Sequence, residues 1–92
     1  MIRVRVRYCA QARVAAGVAE EEIALDGACA PADLLAQLAR TRENLRRVVL
    51  GGNDLPHPSL LLFVGGEQVS VNSPQALQDG DVVEIVPPMS GG

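Results

Sequence analysis

An α+β fold is what this sequence predicts, because strand-type alternation near both ends of the chain brackets a helix-type apolar stripe. Ile2, Val4, Val6 and Tyr8 alternate with Arg3, Arg5, Arg7 and Cys9, which turns one apolar face toward a core. Val83 and Ile85 repeat the pattern against Val82, Glu84 and Val86. Between these runs, Leu34, Leu35 and Leu38 are spaced three and four apart and so share one side of a helix.

With 92 residues and 48% hydrophobic content, the chain has material for one small domain and a thin stability margin. Its first strand spans Ile2 to Tyr8. A polar, Ala-rich connection through Gly17 leads to a second strand over Glu21 to Leu25, with Ile23 and Leu25 inward. A hairpin of these two strands sets Arg3, Arg5 and Arg7 against acidic neighbours, in exposed pairs worth less than about 1 kcal/mol each. Asp26-Gly27 turns the chain, and Pro31 suits a first helical position with Asp33 near the positive end of the dipole. The helix runs to about Arg40. A shorter one follows over Glu43 to Leu50, with Leu45, Val48 and Val49 inward and Gly51 as its stop.

Asn53 through Ser59, with Pro56 and Pro58, reads as loop. Leu60 to Val64 is an unbroken apolar run short enough for a buried strand, and Gly65-Gly66 suits a tight turn into a strand around Gln68-Val69. Asp79-Gly80-Asp81 turns the chain into the last strand, Val82 to Val86. A hairpin, a crossing helix and further strands are satisfied by a β-grasp, with the final strand parallel beside the first and one sheet face uncovered. The expected division is a body over residues 1–86 and a flexible tail over 87–92.

A net charge of −3 argues against sequence-independent nucleic-acid binding, and Tyr8 and Phe63, the only aromatic residues, make no base-stacking platform. No apolar stretch approaches the roughly 18–20 residues of a membrane span, and Met1-Ile2-Arg3 opens directly into strand pattern, so a cytosolic location is expected. Cys9 and Cys29 lie outside any Cys-x-x-Cys spacing and the lone His57 has no partner motif, so no metal site is expected. All eight basic residues are arginine. A chain without lysine cannot form chains of itself through lysine isopeptides.

Pro87-Pro88-Met89-Ser90-Gly91-Gly92 closes the sequence. Two residues without Cβ let a terminal carboxylate enter a narrow partner site, and the prolines hold an extended path. Six residues at roughly 3.3–3.6 Å each reach about 20 Å, enough to enter another protein's active site. Gly92 and Gly91 are therefore the candidate chemical site. Pro87, Pro88, Met89, Ser90, Val86, Val82 and Cys9 are the candidate partner contacts, joined by whichever parity of Leu60 to Val64 faces away from the core.

On Arg7-Tyr8-Cys9-Ala10-Gln11-Ala12-Arg13, Leu77-Gln78-Asp79-Gly80-Asp81-Val82-Val83 and the Pro-Pro-x-Ser-Gly-Gly ending, the chain resembles the MoaD/ThiS family of ubiquitin-like sulfur carriers. It is most similar to their MoaD-type members, the small subunits of molybdopterin synthase. The resemblance implies a carrier without catalytic groups of its own and with no bound cofactor. A ubiquitin-activating-type adenylyltransferase would use ATP to activate Gly92, a sulfurtransferase would supply sulfur, and the large subunit of molybdopterin synthase would receive the thiocarboxylate. Cys9 stands where the family commonly has an aromatic residue. Sulfur carriage for thiamine, cysteine or tRNA thiolation, protein modification through Gly92, and a β-grasp interaction module remain the alternatives.

Overall fold

A computed structural model describes residues 1–27, 29–51 and 55–87. Its elements in chain order are β1 (Ile2–Tyr8), α1 (Gln11–Ala16), β2 (Glu20–Leu25), α2 (Pro31–Thr41), α3 (Glu43–Val49), β3 (Leu61–Val64), β4 (Glu67–Val69) and β5 (Val82–Val86). The described strands form one mixed sheet in the order β2-β1-β5-β3-β4. β5 runs parallel to β1 and antiparallel to β3, so the last strand lies in the middle of the sheet. This is the β-grasp arrangement that the element order predicts.

Alternation decides which face is covered. Val4, Val6 and Tyr8 of β1, Leu62 of β3 and Val83 and Ile85 of β5 all point into the core. Leu34, Leu35 and Leu38 of α2 and Leu45 and Val49 of α3 cover them. α2 starts where Pro31 fixes φ and the Asp33 carboxylate accepts the free Ala30 N–H at 3.0 Å. Gly65 and Gly66, with φ of 61° and 87°, make the two-residue turn that joins β3 to β4.

One expectation is corrected. The segment between β1 and β2 is a helix, α1, rather than an irregular connection. Its alanines favour a helix, Ala12 is buried in the core, and Gly17 closes the last turn in a left-handed conformation. The turn into α1 is tight enough to force Ala10 to a φ of 52°, a region that favours glycine.

Candidate functional site

The site begins where β5 leaves the sheet. The Cys9 N–H donates to the Ile85 carbonyl at 3.1 Å, which carries the β1–β5 pairing to the last turn of β5. At the other end of β5, the Arg3 N–H donates to the Asp79 carboxylate at 2.8 Å and the Gly80 N–H donates to the Arg3 carbonyl at 2.8 Å. The Arg5 N–H adds a bond to the Asp81 carbonyl at 2.9 Å. The Asp79-Gly80-Asp81 turn is thus clamped onto β1 by side chain and backbone together. β5 is held at both ends as well as on both edges, which makes it a rigid root.

The uncovered face of the sheet carries the outward residues of each strand. Val82, Glu84 and Val86 of β5 are half-buried there. The open parity of the β3 run is Leu61 and Phe63, because Leu62 pairs with Ile85 and follows it into the core. Leu61 is 40% exposed, in register with Val86, and half-buried Cys9 follows Tyr8 beside them. Val82, Val86, Leu61, Phe63 and Cys9 therefore form an apolar strip along the root. Arg3, Arg5 and Arg7 flank it and are held by acids of β2: Arg3 meets Glu22 at 3.5 Å, and Arg5 and Arg7 meet Glu20 at 2.7 and 3.6 Å.

Pro87, expected as the first tail residue and a partner contact, is buried. Pro88, Met89, Ser90, Gly91 and Gly92 lie outside the described residues. Cys9 and Cys29 are free thiols, and burial, with Asp33 adding to it, pushes the Cys29 thiol up and away from its reactive form. Among the described residues no cluster of His, Cys, Asp or Glu is grouped to hold a metal, and no helix is long and apolar enough to cross a membrane. A hollow lined by Pro31, Val69, Ser73, Leu77 and Asp81 opens at the start of β5, the opposite end from Val86, and is no part of this root.

Sequence reading missed a polar brace on the covered side. The buried Tyr8 hydroxyl donates to Glu21 Oε2, and Arg42, between α2 and α3, grips the same carboxylate with both amino groups, Nη2 to Oε1 at 2.9 Å. The guanidinium holds the Glu21 carboxyl below its ordinary range. Burial, then the Glu21 carboxylate, pushes the Tyr8 phenol well above its ordinary value. Glu21 and Arg42 are far apart in sequence, so only the fold brings them together.

A mixed sheet with a central final strand, helices on one face and an apolar strip along the other defines a ubiquitin-like β-grasp protein. The chain belongs to the ThiS family, whose model matches residues 6–92. It is 33% identical over 91 residues to the molybdopterin synthase sulfur carrier subunit of Chlamydomonas reinhardtii, a match spanning 99% of this chain and 100% of that one. The crystal structure of SAMP1 from Haloferax volcanii shares the fold with a TM-score of 0.84 at 23% identity, over 98% of this chain and 99% of that one. The solution structure of small archaeal modifier protein 1 from Methanosarcina acetivorans has a TM-score of 0.81 at 26% identity, over 100% of this chain and 98% of that one.

Proposed function

We propose that this chain is a sulfur carrier that holds sulfur as a thiocarboxylate on Gly92 and delivers it as the small subunit of a molybdopterin synthase. The observation that carries this reading is the end-to-end match to the Chlamydomonas sulfur carrier subunit, at 33% identity. An ionised carboxylate is a poor electrophile. An adenylyltransferase partner would therefore join it to AMP from ATP with loss of pyrophosphate, and sulfur supplied by a sulfurtransferase at the hydrosulfide level would then expel AMP, its new C–S bond replacing the C–O bond to AMP. The resulting thiocarboxylate is a soft nucleophile that the large synthase subunit would take into its pocket. The chain's own contribution is mechanical: a rigid β5 root and an apolar strip beside it that a partner can grip.

Intact-mass measurement on the protein from its native cell tests the reading. A fraction heavier by one exchange of oxygen for sulfur is expected, and its absence when the synthase is active would refute it. Removing Gly92 should leave the unfolding transition unchanged and abolish both adenylation and sulfur delivery.

The likeness to small archaeal modifier protein 1 favours a second reading, attachment through Gly92 to lysines of other proteins. Higher-mass conjugates that survive thiol reductant would select it over the carrier. Delivery of the same thiocarboxylate to thiamine, cysteine or tRNA thiolation would appear as failure to bind the large synthase subunit with the mass shift still present.

A further inference from the structure

Glu84 is the one acidic side chain in the central strand of the open face, and none of the ion pairs among the described residues includes it. In register it stands between Arg7 of β1 and Phe63 of β3, with Val82 and Val86 two residues to either side on its own strand. Arg7 does not pair with it, because its guanidinium turns the other way, to Glu20 at 3.6 Å. Among the described residues Glu84 has no ion pair or side-chain hydrogen bond. It is half-buried already, so any protein seated on the apolar strip strips its remaining water. A carboxylate left bare in such an interface opposes binding, whereas one met by a cation supports it and fixes the register of docking.

We infer that Glu84 reads the partner: the protein that covers this face presents a lysine or arginine to the Glu84 carboxylate, set among apolar side chains that meet Val82, Val86, Leu61 and Phe63. The inference rests on the carrier reading, in which that partner is the large synthase subunit. Charge complementarity selects a cationic partner over a second copy of this chain. In a copy, the sheet-face arginines are already engaged by Glu20 and Glu22.

The test is calorimetric titration of the purified large subunit from the same organism with the wild-type chain, Glu84→Ala and Glu84→Arg, at low and high salt. Glu84→Ala should weaken binding by roughly tenfold or more, and Glu84→Arg further, with the wild-type advantage shrinking at high salt. Position 84 lies outside the buried core in the free protein, and matching thermal transitions would show that the fold is kept. Glu84→Ala binding within tenfold of wild type, or more tightly, overturns this inference alone, because it means that no cation meets the carboxylate. A wild-type chain that does not bind at all overturns the carrier-and-synthase reading beneath it. Self-association of the isolated chain that Glu84→Arg abolishes overturns the inference too, by making the occupant a second copy.

Discussion

Replacing Glu21 by glutamine isolates what holds β2 to the helical layer. The Glu21 carboxylate takes hydrogen bonds from the Tyr8 hydroxyl and from both amino groups of Arg42, and its side chain is 20% exposed against 35% for Arg42. An exposed ion pair contributes under about 1 kcal/mol, and breaking a fully buried one costs about 3–5 kcal/mol. This brace lies between those limits, and glutamine keeps one acceptor oxygen while turning an amide toward the remaining donors. The expected loss is about 2 kcal/mol, which for a domain of this size lowers Tm by about 8–16 °C. Thermal or urea unfolding at neutral pH measures it. The sign of the pH dependence follows from Arg42 holding the Glu21 carboxyl below its ordinary value of 4.5: the brace is fully present above that value and is lost as pH falls through the lower folded one. The difference between wild type and Glu21→Gln should thus be flat from about pH 6 to 8 and shrink below about pH 4.5. A loss under about 0.5 kcal/mol at neutral pH, or a difference that acid leaves unchanged, would refute the reasoning.

Ala10 sits at a φ of 52° and ψ of −125°, where a Cβ is strained, so Ala10→Gly should raise stability by about 1 kcal/mol despite the greater freedom of glycine in the unfolded chain; a neutral or lower denaturation midpoint would count against that strain. Ile85 is fully buried while its neighbour Val86 is only half-buried, so Ile85→Ala should cost about 2–5 kcal/mol in urea unfolding and Val86→Ala about 1 kcal/mol or less. Equal costs would mean that β5 does not divide its faces as described.

The parts of the fold legible in the sequence are those where one residue of alternation separates core from surface. β1 announces itself because arginines stand at alternate positions, β5 because Glu84 separates Val83 from Ile85, and α2 because its leucines share a stripe. The Leu60–Val64 run carries no such interruption. Its parity became readable only from the pairing of Leu62 with Ile85, which places Leu61 and Phe63 on the open face. α1 escaped notice because six residues with no side-chain cap and no acidic first turn give helix formation little local support; its stability comes from burying Ala12. The brace was invisible for a different reason. Tyr8 belongs by pattern to the core and Arg42 lies between helices, and neither position hints at Glu21. At the candidate site, the ending and its Asp79-Gly80-Asp81 anchor could be read as motifs, but the clamp from that turn to the backbone of Arg3 is a tertiary fact.

The arrangement explains why the final strand, rather than an edge strand, should be the one that continues toward Gly92. An edge strand is paired on one side only and can fray or slip, whereas β5 is paired along both sides and clamped at both ends. Because side chains alternate, the same few residues also divide the labour. Val83 and Ile85 tie the strand into the core, while Val82, Glu84 and Val86 form the surface on which a partner would register. A slip of one residue would exchange these sets, burying Glu84 and exposing Ile85. The core therefore penalises any register other than the one that sets Val86 at the open face, and the position from which the chain leaves the sheet is fixed by the packing of the residues just before it.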